Sequence, residues 1–396
     1  MRKVTTRAIF VAVSLTVGFL LPPPHISAQT ENDTEEKDAF VDGGIYDKPF
    51  ITRLGGRTSI GGYADFEFRT ERADGVTKES TFRMHRFNLF TYSVVSDRIR
   101  LSSEIEFEDG AEEIKLEYGV IDFEIREELN FRAGIILSPL GKFNLAHDSP
   151  VNELTDRPLV VTEIIPSTLS EPGLGFWGSF YPSQTSRITY ELYAVNGFNE
   201  GIISGATTST KDGRASLAED NNNIPAVVGR IAGSPTRGLE LGGSFHVGQF
   251  NISSDEGVLI DERRYLRIFG FDWEYRRSRF SFVGEYARAG IDLTPGFTGF
   301  LPDSQQGAYA QISYRFLTAL TSTLPASSMT GVLRAEGVDF DSDAKGDGQR
   351  RITIGLNFRP VEDTVFKLDF QMDRTTDALN VSAVARSFLF SVATYF

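Results

Sequence analysis

Three adjacent residues, His147-Asp148-Ser149, carry the side-chain types of a hydrolytic triad. Neighbours in sequence cannot generally converge as nucleophile, base and orienter, so they read as loop residues and not as a catalytic centre. Asp339, Asp341, Asp343 and Asp347 imitate a calcium loop, but its sixth position is Ala344 instead of Gly and its twelfth is Arg350 instead of Glu. That spacing reads as a solvated loop tip. Gly242-Gly243 sits inside a strand pattern and lacks the following helix that phosphate cradling needs, so it reads as an aid to sheet curvature. The 396 residues include no cysteine and only four histidines, at 25, 85, 147 and 246. Disulfide frameworks, thiolate metal sites and imidazole clusters are thereby set aside, and no metal, cofactor or catalytic residue is expected. An excess of 54 acidic over 40 basic residues argues against nucleic acid as a partner. The remaining chemistry is ionic, and its meaning depends on which way the charges face.

The elements that aim them begin with an address. Arg2, Lys3 and Arg7, the apolar stretch Ala8 to Leu21 and Ile26-Ser27-Ala28 read as a cleaved secretory signal over residues 1–28. Fourteen apolar residues are too few for a spanning helix, and Pro22-Pro23-Pro24 stops any helix there. Cleavage after Ala28 removes three positive charges and leaves 368 residues, taking the net charge from −14 to −17. No later apolar run is long enough to span as a helix, so a membrane form of this chain must be a closed β-barrel.

From about residue 57 the apolar residues recur with period two. Ile99, Leu101, Ile105 and Phe107 share one face against Arg98, Arg100, Ser102, Glu104 and Glu106. Phe366, Leu368, Phe370 and Met372 oppose Lys367, Asp369 and Gln371 in the same way. About sixteen such segments fill residues 57–396, with a parity slip around Gly119 that predicts a bulge. Residues 29–56, acidic and then Gly-rich, read as a mobile leader. The fold class expected is an all-β, transmembrane antiparallel barrel of 16 strands, an even number as in bacterial single-chain barrels.

Connection lengths carry the stronger argument, since membrane barrels alternate short periplasmic turns with long outward loops. Short turns are expected at 96–97, 124–129, 182–185, 234–238, 277–278 and 360–363, with 318–328 the long exception. Outward loops are expected at 70–81, 108–112, 139–173, 197–224, 250–263, 289–306, 341–349 and 374–384. Tyr181, Trp273, Tyr275, Tyr314, Phe316, Tyr395 and Phe396 fall at the periplasmic ends, where an aromatic girdle belongs.

Sixteen strands leave an aqueous bore, and charged groups face it because hydrocarbon is costly for them. The longest outward loop, 139–173, is expected to fold inward and narrow that bore. Its Lys142, Asp148, Glu153, Asp156, Arg157 and Glu163, with Arg132, Arg187, Arg279 and Arg315 on the wall, are the candidate constriction residues that set which ions pass. Two function classes follow: a diffusion pore for small ions or solutes, and a non-conducting barrel with a structural or adhesive role. Both imply contact with outer-membrane lipid and lipopolysaccharide.

Several short runs are similar to one known family. Phe131-Arg132-Ala133-Gly134 leads into Ser138-Pro139-Leu140-Gly141, Tyr193-Ala194-Val195-Asn196-Gly197 closes the seventh segment, and Gly229-Arg230 lies in the eighth. Gly355-Leu356-Asn357-Phe358 is followed by Lys367-Leu368-Asp369. In their order and spacing these resemble the phosphate-selective porins of O and P type from Gram-negative outer membranes. The resemblance implies a sixteen-stranded homotrimeric porin that conducts small anions past lumenal arginines and lysines. An anion-selective bore calls for a positive wall, whereas the mature chain is acidic, so the preferred ion stays open.

Overall fold

The computed structural model describes residues 52–53 and 58–396, except Ala206. The signal sequence expected at 1–28 and nearly all of the leader at 29–56 lie outside the described residues. Sixteen strands run in chain order: Thr58–Ala73 (β1), Val76–Ser96 (β2), Ile99–Glu108 (β3), Glu113–Arg126 (β4), Leu129–Leu137 (β5), Ser170–Ser183 (β6), Ser186–Val195 (β7) and Ala226–Thr236 (β8). They continue with Leu239–Gln249 (β9), Tyr265–Arg277 (β10), Phe280–Ile291 (β11), Ser304–Thr318 (β12), Ser328–Asp339 (β13), Gly348–Val361 (β14), Thr364–Thr376 (β15) and Ser382–Tyr395 (β16). Each pairs antiparallel with its sequence neighbour, and β1 pairs with β16, Tyr63 opposite Tyr395 and Ala73 opposite Ala385. The barrel is therefore closed. A two-residue strand, Thr52–Arg53, folds back beside Ser59 and Ile60.

The wall is inside out. Along β15 Phe366, Leu368, Phe370 and Met372 are 36–46% exposed, while Lys367, Asp369 and Gln371 are each 1% exposed. In β14, Ile352, Ile354 and Leu356 face out and Thr353 and Asn357 face in. Water would favour the reverse arrangement, whereas hydrocarbon outside and a polar interior stabilise this one.

The connections alternate as expected with one correction. Five of the turns at one end have two residues (97–98, 127–128, 184–185, 237–238 and 278–279), as does 362–363, and 319–327 is the long one. At the other end the first loop, expected at 70–81, is a two-residue turn, because β1 and β2 extend through it. Asp74 (φ 52°) and Gly75 (φ 79°) both take positive φ, the tight hairpin geometry that Asp-Gly favours. The hairpin is tall: β3 accompanies β2 only from Arg86 onward, so residues 76–85 pair with β1 alone among the described residues.

The parity slip near Gly119 proves to be a bulge two residues earlier. Glu104 lies opposite Tyr118 and Ile105 opposite Leu116, so Glu117 is the extra residue, and both Glu117 and Tyr118 turn inward. Of the expected girdle residues, Tyr181, Tyr314, Phe316 and Phe396 are exposed on the outer face. Tyr395 is a correction: it points into the barrel, because its parity is opposite to that of Phe396, and it is buried.

Candidate functional site

The third connection at this end, residues 138–169, turns into the barrel and is fastened to the wall on both sides. At its start Gly141 N donates to Ser244 Oγ (3.0 Å), and Phe143 N donates to Glu285. Lys142 Nζ reaches Glu240 (3.0 Å) and Glu274 (2.8 Å). On the opposite wall Thr155 N donates to Asp369 Oδ2 (2.7 Å), Asn357 Nδ2 donates to Glu153 Oε2 (2.6 Å), and Lys367 Nζ donates to the Ser149 carbonyl (2.8 Å). The loop thus spans from β9–β11 to β14–β15.

A short helix within it, Leu159–Glu163 (α1), begins after Pro158, and Leu159 N donates to Glu336 Oε2 (2.6 Å). Its apolar face explains the position. Leu159, Val160 and Val161, with Ile164, Ile165 and Leu140, pack against Leu266, Ile268, Ala287, Ala289 and Ile291 of β10 and β11 and against Phe198, Ile202 and Phe250 from the next two loops. Burying several such side chains is worth about 1.5–3 kcal/mol each before entropy is counted. This apolar patch on the inner wall escapes sequence reading, since period two does not tell which face is inside.

The triad-like residues diverge. His147 Nδ1 donates to the Asn144 carbonyl (2.9 Å) and Nε2 meets Glu117 Oε2 (3.1 Å), Asp148 accepts from the Tyr395 hydroxyl (2.9 Å), and Ser149 offers its carbonyl to Lys367. The bulge at Glu117 thus holds the loop rather than assembling a nucleophile. Glu104, His147 and Asp148 bring ligand atoms within 4.8 Å of one another, but both imidazole nitrogens are engaged as described. In the aspartate-rich loop, Asp341 Oδ1 accepts from Asp343 N (3.1 Å), a local turn bond. Gly242 makes room for an ion pair: a Cβ there would stand 2.4 Å from Arg230 Nη2, which binds Asp272 Oδ1 at 2.6 Å.

Five of the ten candidate constriction residues, Lys142, Glu153, Asp156, Arg279 and Arg315, line one internal cavity of about 560 Å³ between the loop and β10–β14, on the short-turn side. Arg334 and Arg359 line it too, and sequence reading did not single out Arg334. Arg279 and Arg315 are exposed to it and carry no carboxylate partner among the described residues. Arg359 donates to the carbonyls of Pro150 (2.8 Å) and Glu362 (3.2 Å). The other five lie elsewhere. Arg132 is buried in the wall, its guanidinium on Asp122 (2.7 and 3.0 Å), within reach of Tyr193 and over the Trp177 ring at 5.0 Å. Asp148 is at the loop's Tyr395 anchor. Arg157 gives Nη1 to Thr168 (3.2 Å), while its Nε and Nη2 have no hydrogen-bond partner among the described residues. Glu163 ends α1, and Arg187 stands 3.7 Å from Glu240.

Asp156 is the charged pin on the far wall, bonded to Arg69 and 3.7 Å from Arg351. Burial alone would raise its pKa, but Arg69 and Arg351 hold it below the usual carboxylate value. A lowered folded pKa means that the contribution is complete above the unfolded value and is lost as pH falls through the folded one. The Asp156 pin itself is therefore expected to hold from neutrality down through the ordinary carboxylate range and to release only in stronger acid. Asp156→Asn should remove that acid transition, as read by single-channel recording against pH.

No family profile matches the chain. An uncharacterised protein of Aquifex aeolicus is 27% identical over 341 residues, covering 79% of this chain and 74% of that protein. Among solved structures, OprB of Pseudomonas putida superposes with a TM-score of 0.57 at 9% identity, covering 86% of this chain and 94% of its own. The anion-selective porin from Comamonas acidovorans gives 0.56 at 9% identity over 86% and 99%. The outer membrane channel DcaP of Acinetobacter baumannii gives 0.54 at 12% over 88% and 99%.

The chain shares the closed sixteen-stranded barrel of these outer-membrane proteins. At such identities the likeness speaks for architecture alone. Within this barrel the third loop is held by wall bonds on both sides and by the apolar seat beneath α1.

Proposed function

We propose that this protein is an outer-membrane porin of a Gram-negative cell, an aqueous diffusion channel for small ions or solutes, exported by its signal sequence and assembled as a homotrimer. The observation that carries the reading is the inside-out wall, apolar outward and ionic inward around an internal cavity. The long loops then face the outside of the cell and the two-residue turns face the periplasm. The trimer is supported by the fold likeness to OmpT of Vibrio cholerae in its trimer form, with a TM-score of 0.52 at 10% identity.

Small anions, phosphate among them, are the preferred cargo in this reading. Arg279, Arg315 and Arg359 present cationic groups to the cavity without carboxylate partners, while most of its acids are already engaged by lysine, arginine or asparagine. The resemblance to the phosphate-selective O and P type porins points the same way. Net charge does not oppose this, because distant surface acids are screened within about 8–10 Å at physiological salt.

The test is conductance of the purified protein in a planar bilayer. Stepwise openings of stable size are expected, with a reversal potential in a salt gradient on the anion side. The double variant Arg279→Glu/Arg315→Glu should move that potential toward cations, and an unmoved potential would remove both from the filter. The apolar seat of α1 favours a second reading, a non-conducting barrel with a structural or adhesive role, and electrically silent insertion would establish it over the first.

A further inference from the structure

The lumenal arginines are largely paired, yet a second set on the outside is not. Arg350 on β14, Arg374 on β15, Arg386 on β16 and Arg72 on β1 all occupy exposed, outward positions near the long-loop end. Strand register brings them together: Arg350 lies directly opposite Arg374, and Arg386 directly opposite Arg72. Their inward neighbours behave differently, since Arg351 binds Asp373 at 2.7 Å. Arg374 finds only the Ser382 hydroxyl (3.3 Å) and Arg72 only the Gly75 carbonyl (3.0 Å), and none of the four meets a carboxylate among the described residues. Like charges directly across a sheet destabilise it unless an anion lies between them.

Three of the arginines also mark a border. One outward step below Arg350, Arg374 and Arg386 stand Ile352, Met372 and Phe388, the top of the apolar belt. Beside Arg350 and Arg374 is an external groove of about 680 Å³, floored by Ala308 and Gly337 and edged by Tyr286 and Asp339. Small side chains there leave room for a bulky group held against the wall. Guanidinium forks suit phosphate, and the apolar surface just beneath suits acyl chains.

We propose that this groove binds a phosphate-bearing, multiply acylated glycolipid of the lipopolysaccharide class, its phosphates on Arg350 and Arg374 with Arg386 and Arg72 alongside, and its chains on the belt below. The inference rests on the outer-membrane placement proposed above and gives that membrane contact a definite site.

The probe is purified bis-phosphorylated lipid A, added to the detergent-solubilised full chain and followed by native mass spectrometry. Wild-type protein should retain lipid A and prefer it to the dephosphorylated form. Arg350→Ser/Arg374→Ser should bind roughly thirtyfold more weakly, as two arginines at an anionic lipid surface imply. Arg350→Lys/Arg374→Lys, which keeps the charge but loses the fork, should bind at a level between wild type and the serine pair. Heat-modifiable gel mobility reports that each variant is folded, and Arg386→Ser/Arg72→Ser gives an independent second pair. Equal binding by wild type and both serine pairs overturns the proposal. So does displacement by equimolar inorganic phosphate, which would mark a free-anion site, and so does loss of the oligomer with lipid binding intact, which would mark a surface for a second copy. Conductance is read separately, so a chain that conducts without retaining lipid A defeats this inference alone.

Discussion

Val160→Asp is expected to unseat the third loop and raise single-channel conductance severalfold. Val160 is completely buried in α1, and its Cβ lies so close to β12 that a Cβ added to Gly307 would stand 3.2 Å from it. An unpaired carboxylate placed among Val161, Ile164, Ile268 and Ala289 costs several kcal/mol, and moving α1 into water relieves it. The wall hydrogen bonds of the barrel do not depend on α1, so heat-modifiable gel mobility should stay that of a closed barrel. Val160→Leu, which changes volume without charge, should leave conductance near wild type. If Val160→Asp folds and conducts as wild type does, the loop does not limit the pathway.

Arg132→Glu is expected to act on stability before it acts on ions. The side chain is 1% exposed, bonded twice to Asp122, with Glu191 at 3.6 Å. Replacing it with Glu leaves three carboxylates together inside the wall, where even loss of one partner of a buried pair costs about 3–5 kcal/mol. The midpoint for unfolding in denaturant should fall markedly. The paired change Arg132→Met/Asp122→Leu should recover much of the loss, since an apolar replacement of a buried ion pair is often neutral. A wild-type midpoint together with a shifted reversal potential would instead place Arg132 in the ion path.

How much of this was legible beforehand differs between wall and lumen. Period-two alternation in Ile352 to Phe358 or Phe366 to Met372 survives into the structure because lipid and water impose opposite demands on alternate residues of one strand. The places of the short turns were legible for the same reason, although strands run further into four of them than expected. The first hairpin differs from its expected loop because its strands continue beyond the apolar belt, where alternation no longer signals burial, although Asp74-Gly75 carries the turn signal. In the lumen, spacing says that Arg132 and Arg315 face inward but not that Asp122 engages one while the other stays exposed. Those differences depend on strand register and on where the loop comes to rest. Leu266, Ile268, Ala287 and Ala289 show the limit most clearly, since an apolar residue facing a loop helix and one facing lipid look alike in a strand.

The tall first hairpin has a further consequence. Closing a barrel ordinarily abolishes free sheet margins, yet from Val76 to His85 the β2 backbone is paired on one side only among the described residues. In the proposed orientation this open margin stands in water on the cell exterior, where its peptide groups form a template to which another extended segment can add. Lys78, Glu79 and Arg83 stud it with charge, the usual deterrent to indiscriminate joining of cell-surface proteins edge to edge.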